Sequence, residues 1–253
     1  MSRQRIMQDD SHRATGDDAR RWLLAGAPVK EWRLDLAGVS TAVLEAGDGP
    51  PDAALVLRWL GALIERTCQA PPVLVGASLG GSIAARFAIT HPDRLSRLVL
   101  VDSGSLARFR PAPGLALAMI RFIARPDERS RDRVLRQVLV DPTRLRGRMG
   151  ERWEAFQAYY LDLARTPSVR AANRRLLREL GTRPIPPEQL ARIGVPTALI
   201  WGRHDRVMRL RIAEEASARY DWPLHVIEDA GHFSAADQPE AFRAALQAAL
   251  GDR

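Results

Sequence analysis

One serine stands between two glycines in Gly76-Ala77-Ser78-Leu79-Gly80, where the apolar run PPVLVGA gives way to an alanine-rich stretch. A sharp strand-to-helix turn with this pattern lifts a hydroxyl out of a sheet, and its neighbours must be small because backbones crowd there. Alone, G-x-S-x-G is a weak signal. Its place after a buried-strand run and at the opening of a helix, with Gly81 following, strengthens it. A serine hydroxyl attacks only when a base takes its proton, and the base works only when a third group orients it. His232 in EDAGHF and Asp205 in WGRHDRV each follow an apolar, strand-like run. Both therefore fall at C-terminal strand ends, the rim where sites gather in open parallel sheets. The chemistry these types support is nucleophilic acyl transfer. Ser78 attacks, His232 carries the proton, Asp205 orients His232, and the Leu79 N–H at the helix start stabilises the oxyanion.

Each of these residues has a rival. Asp102 also ends a strand-like run, but an orienting carboxylate must reach the turn that carries the histidine, which favours Asp205. His204 reads as a structural neighbour of the acid, His91 before Pro92 as a helix terminus, and His12 lies in an N-terminal tail. Cys68 is the only cysteine, which excludes an intrachain disulfide and a cysteine-based zinc site. It is expected to be a small buried residue. No metal and no cofactor is implied.

The elements that must position these groups follow from hydrophobic periodicity. VKEWRLDLAG and VSTAVLEAG predict a hairpin. DAALVLRWLGALIERTC predicts an amphipathic helix capped by Asp52, with Leu55, Val56, Trp59, Leu60, Leu63 and Ile64 on one face. PPVLVGA, RLSRLVLVDSG, VPTALIWG and PLHVIEDAG predict strands, and helices alternate with them, so the chain reads as α/β with a parallel sheet. About ninety residues between Asp102 and Val195 carry no strand signal. They predict four or five helices punctuated by Pro111, Pro126, Pro142, Pro167 and Pro184, with Trp153, Phe156 and Tyr160 as a packing face.

The 253 residues are 46% hydrophobic and 27% charged, the balance of a globular chain with a sizeable core. No apolar stretch is long enough to span a bilayer, and the polar first 18 residues lack the apolar segment of a signal peptide. A cytoplasmic location is the expectation. The net charge of +8 is unevenly placed: residues 106–183 hold 18 arginines against 8 acidic residues. No arginine-rich tail, zinc pattern or aromatic RNA-binding signature accompanies them, so specific nucleic-acid binding is not expected. A solvated helical surface is the simplest reading, and attraction of an anionic substrate or surface the next.

VGASLGG, HPDRLSRLVLVDSG, PTALIWGRHD and DAGHF resemble blocks of the α/β-hydrolase superfamily, in family order, over roughly residues 29–253. The resemblance is to members of the serine esterase and C–C hydrolase type. It implies a mostly parallel sheet with flanking helices and a helical cap: a tail over 1–18, a core over 19–104 and 195–253, and a cap over 105–194. The order Ser78, Asp205, His232 is that of the family's nucleophile, acid and base. The partner implied is a small-molecule substrate with an ester or related acyl-type bond.

The chain departs from the family pattern upstream of the serine. In that fold the hairpin leads to a strand ending in a His-Gly-type loop, then to a helix, a further strand and a turn. The loop supplies the second oxyanion donor. Here Gly49 to Pro51 alone separate the hairpin's trailing turn from the next helix, and no His-Gly dipeptide occurs. Two central strands are therefore expected to be missing, with the edge of the serine-bearing strand left open or taken by the hairpin. Gly47-Asp48-Gly49 is the one backbone stretch nearby in sequence that could replace the donor. The alternative function is a binding protein or pseudoenzyme built on an internally shortened hydrolase fold.

Overall fold

The computed structural model describes residues 29–36, 39–46 and 51–251. The expected hairpin forms: β1 (Val29–Leu36) pairs antiparallel with β2 (Val39–Ala46), Leu36 lying opposite Val39. It is a separate two-stranded sheet. The expected tail over 1–18, His12 and Gly47-Asp48-Gly49 lie outside the described residues.

After α1 (Ala53–Thr67), four parallel strands follow in the spatial order β3 (Val73–Ala77), β4 (Arg97–Val101), β5 (Thr197–Gly202) and β6 (Leu224–Ile227). Short apolar strands build this sheet because helices cover both faces. On one face α2 (Leu79–Thr90) and α9 (Leu210–Tyr220) bury Phe87, Leu98, Leu100, Leu199 and Trp201. On the other, α11 (Pro239–Leu250), which follows the short α10 (Ser234–Asp237), covers Val99, Val101, Ala198 and Ile200. β4 and β5 are consequently buried along nearly their whole length.

The strand that carries Ser78 at its end stands at the sheet's border. Among the described residues β3 has one ladder neighbour, β4, and the hairpin does not pair with it. Val73 and Val75, on the face that α11 covers over the neighbouring strands, are 39% and 44% exposed. The same boundary limits the burial of α1. Its cap is as expected, with Leu55 N–H donating to Asp52 at 2.7 Å. Only Leu60, Gly61 and Ile64 are buried, against α2, while Leu55 and Trp59 are exposed because no described strand lies beneath them. Cys68 is likewise half-buried rather than buried, since it caps the open end of α1.

Between β4 and β5 lies an all-helical insertion: α3 (Pro113–Ala124), α4 (Glu128–Val138), α5 (Pro142–Met149), α6 (Arg152–Arg165), α7 (Pro167–Leu176) and the short α8 (Pro187–Leu190). A π-helical turn, Leu177–Gly181, continues α7. Four of these helices start with proline in the first turn, where the missing N–H costs nothing. Trp153 is buried with Leu115, Leu135, Val138 and Leu139, and its ring lies 5.7 Å from that of Phe156. Arg86 of α2 fastens the π turn to the sheet layer, donating to Ser82 O, Leu180 O and Arg183 O at 2.9–3.3 Å. Glu179 accepts from Ala53 N–H at 3.0 Å, so one carboxylate meets the positive end of α1.

Candidate active site

Ser78 occupies the turn between β3 and α2 with φ 50° and ψ −116°, a conformation uncommon for a residue with a Cβ. Its own N–H donates to Val101 O and its carbonyl accepts from Gly104 N–H, so the turn is tied to the end of β4. The glycines explain how the turn closes. A Cβ on Gly76 would sit 2.5 Å from Gly80 O and 2.8 Å from the Ala84 methyl, whereas one on Gly80 would meet nothing within 4 Å. Gly76→Ala is therefore expected to cost at least about 1–3 kcal/mol through overpacking. Gly80→Ala should leave the melting temperature nearly unchanged, and thermal unfolding of the two variants checks the contrast.

His232 follows β6 in a buried turn. Its Nε2 lies 2.8 Å from Ser78 Oγ and its Nδ1 2.9 Å from Asp205 Oδ2. Asp205, just beyond β5, uses its other oxygen to accept Val207 and Met208 N–H at 2.7 and 2.9 Å. That leaves Oδ2 for the imidazole. The three residues singled out in the sequence are thus one hydrogen-bonded series, spanning 154 positions between serine and histidine. Leu79 is the first residue of α2, where helix N–H groups lack an intrahelical acceptor.

His204 and His91 stand apart from this series. His204 is exposed, and His91 caps α2 and stacks on Phe87 at 4.5 Å. A cleft of about 370 Å³ beside the acid turn is lined by Ala112, His204, Asp205, Arg206 and Arg209, and by neither Ser78 nor His232. Among the described residues no group of three or more His, Cys, Asp or Glu is placed to hold a metal ion.

Three supporting groups escaped sequence reasoning. The carbonyl of Val138, at the end of α4, accepts His232 N–H at 2.9 Å and Phe233 N–H at 3.4 Å. Asp237 accepts Gly231 N–H at 2.8 Å and Val140 N–H at 3.1 Å, clasping the histidine turn to the insertion from the other side. Ser234 donates to Asp102 Oδ2 at 2.7 Å, while Asp102 Oδ1 accepts Gly202 N–H at 2.8 Å. The rival acid therefore links the acid-bearing strand to the residue two beyond His232, without bonding the imidazole. Burial, and next the Asp205 charge, raise the Asp102 carboxyl to about 7. Val138, Asp237 and Ser234 had no signal in the sequence, whereas Asp102, named there as the rival acid, had its place at a strand end.

A model of the Alpha/beta hydrolase family matches residues 14–245. A 2-hydroxy-6-oxo-6-phenylhexa-2,4-dienoate hydrolase of Comamonas testosteroni is 29% identical over 179 residues, covering 67% of this chain and 59% of that protein. A 2-hydroxy-6-oxononadienedioate/2-hydroxy-6-oxononatrienedioate hydrolase of Cupriavidus pinatubonensis is 26% identical over 220 residues, covering 85% of this chain and 73% of the other. The chain spans 58–59% of the length of the first two curated relatives it matches. Among solved structures, a 2-hydroxy-6-oxo-6-phenylhexa-2,4-dienoate hydrolase from Rhodococcus sp. strain RHA1 superposes with a TM-score of 0.70 at 19% identity, over 83% of this chain and 76% of that one. A carboxylesterase from Bacillus subtilis gives 0.64 at 18%, over 84% and 70%.

Proposed function

Since the chain belongs to the alpha/beta hydrolase family, we propose that it is a serine hydrolase that cleaves an ester or related acyl-type bond of a small molecule. The observation that carries this reading is the unbroken series Ser78 Oγ, His232 Nε2, His232 Nδ1, Asp205 Oδ2, with both links within 2.9 Å. In the reaction, His232 Nε2 takes the Ser78 proton as Oγ attacks the carbonyl carbon. The C=O electron pair moves onto oxygen, where the Leu79 N–H and the positive end of α2 face it. Asp205 holds the imidazole in the tautomer that can accept at Nε2, and it stabilises the imidazolium that forms. His232 then returns the proton to the leaving group. Water, activated by the same imidazole, releases the acid from Ser78 and restores the enzyme.

A second reading, a binding protein on the same scaffold, is favoured by one observation: the described sheet stops at the strand that bears Ser78. A fluorophosphonate probe separates the two. Stoichiometric labelling of the wild type, absent in Ser78→Ala, is expected. A folded wild type that takes up no label would favour the binding protein. A chromogenic short-chain ester, run beside a 2-hydroxy-6-oxo-dienoate of the kind named for the relatives, then sorts the bond that is cleaved.

A further inference from the structure

The arginine excess of the insertion has a partner in shape as well as charge. α3 turns Leu117, Ile120 and Ile123 outward, 48%, 63% and 52% exposed. At 3.6 residues per turn the first two share one stripe, with Ala124 beside them and Ile123 on its flank. Aliphatic side chains in such a group are unusual on a surface that carries no function. The stripe is bordered by cations. On one flank a cleft of about 120 Å³ between α3 and α4 is lined by Arg121, Arg133, Arg136 and Gln137, and Leu117 forms part of the same wall. At the C-terminal end of α3, Arg170 and Arg165 donate to Ile123 O and Pro126 O at 2.9 and 3.0 Å. Arg125, just past the helix, has an 89% exposed side chain, with Asp127 3.5 Å away. α3 itself carries no acidic residue.

From this juxtaposition we infer that the α3 face docks on a membrane surface containing anionic phospholipid. The arginine cleft takes a lipid phosphate, and Leu117, Ile120 and Ile123 enter the acyl boundary beside it. Leu117 lines the anion cleft and belongs to the apolar stripe, so the site fits a ligand whose charge and hydrocarbon adjoin. A second copy of this chain would bring arginine against arginine. The exposed residues are aliphatic rather than the Trp and Tyr that anchor protein interfaces. No described helix is long and apolar enough to cross a membrane, so the contact is that of a helix lying in the interface. The inference stands independently of the catalytic reading.

The test is flotation of the full-length protein with vesicles of phosphatidylcholine, with and without phosphatidylglycerol, at low and high salt. Partitioning is expected to be at least about tenfold stronger with phosphatidylglycerol and to weaken with salt. Arg121→Gln/Arg133→Gln/Arg136→Gln and, separately, Leu117→Ser/Ile120→Ser/Ile123→Ser should each lower it by about tenfold or more, because both forces are required. These side chains are exposed, and far-ultraviolet circular dichroism with thermal unfolding verifies that the variants fold. Equal binding to both vesicle types, or none, would overturn the docking. An unaffected serine variant would reduce it to nonspecific charge adsorption. Displacement by inorganic phosphate at low millimolar concentration, or preference for polyglutamate over vesicles, would assign the cleft to a free anion or an acidic protein instead.

Discussion

Ser78→Ala and His232→Ala are each expected to lower kcat/KM for a 4-nitrophenyl ester by about 10⁴–10⁶-fold, and the double variant should lose no more than either single one. The reason is geometric. Ser78 Oγ is a poor nucleophile unless the imidazole 2.8 Å away takes its proton, so either removal disables the same step. Asp205→Asn should cost about 10⁴-fold, because an amide at 2.9 Å from Nδ1 can present its own N–H and impose the wrong tautomer. Asp205 also receives two backbone N–H groups, so its alanine variant would disturb the turn, and asparagine is the better probe. Steady-state kinetics of the four proteins, with fluorophosphonate labelling as an active-site count, reads the outcome. Additive losses in the double variant, or turnover surviving in Ser78→Ala, would sink the proposed mechanism.

The second large effect is on stability. Asp102 is 1% exposed, and its carboxyl is raised to about 7, first by burial and then by the neighbouring Asp205 charge. Two donors, Gly202 N–H and Ser234 Oγ, oppose the shift without cancelling it. In the unfolded chain the group titrates near 3.8. Between these values the native state holds more protons than the unfolded one, so the sign is fixed. The contribution is fully present below about 4, and it is lost as pH rises through about 7. A shift of this size corresponds to about 4 kcal/mol at most. Asp102→Asn keeps the shape, accepts Gly202 N–H and donates to Ser234, whose hydroxyl can turn to accept. The variant should match the wild type near pH 5 and exceed it at pH 8 by about 1–3 kcal/mol. Guanidinium unfolding at the two pH values checks this, and identical pH dependence in both proteins would refute it.

Much of the site was legible in the sequence because each of its three groups sits at a strand end marked by small residues. The glycine-flanked serine, WGRHD and DAGHF carry their own local punctuation, and the parallel sheet places such ends on one rim. What holds those groups was not legible. A backbone carbonyl such as that of Val138 has no residue type to betray it, and Asp237 reads as an ordinary helix-end acid until two N–H groups are seen pointing at it. The amphipathic pattern of α1 was legible as a helix, but not how much of its apolar face is buried. Periodicity reports which side is apolar, and the sheet's extent decides how much of that side is covered. The insertion holds six α-helices rather than four or five, because Gly150 divides the stretch between Pro142 and Pro167 into two.

The carbonyl of Val138 gives the inserted helices a meaning for anyone who would rearrange them. His232 and Phe233 both hang from that one oxygen, in the turn that closes α4. The helices between β4 and β5 are therefore not an exchangeable module that can be traded for a relative's to change specificity. A transplant has to bring an acceptor to the same point in space. Lengthening α4 by a single residue would swing that acceptor about 100° around the helix axis and leave the histidine turn without it. Recombination inside this segment is free only where it preserves the phase of α4.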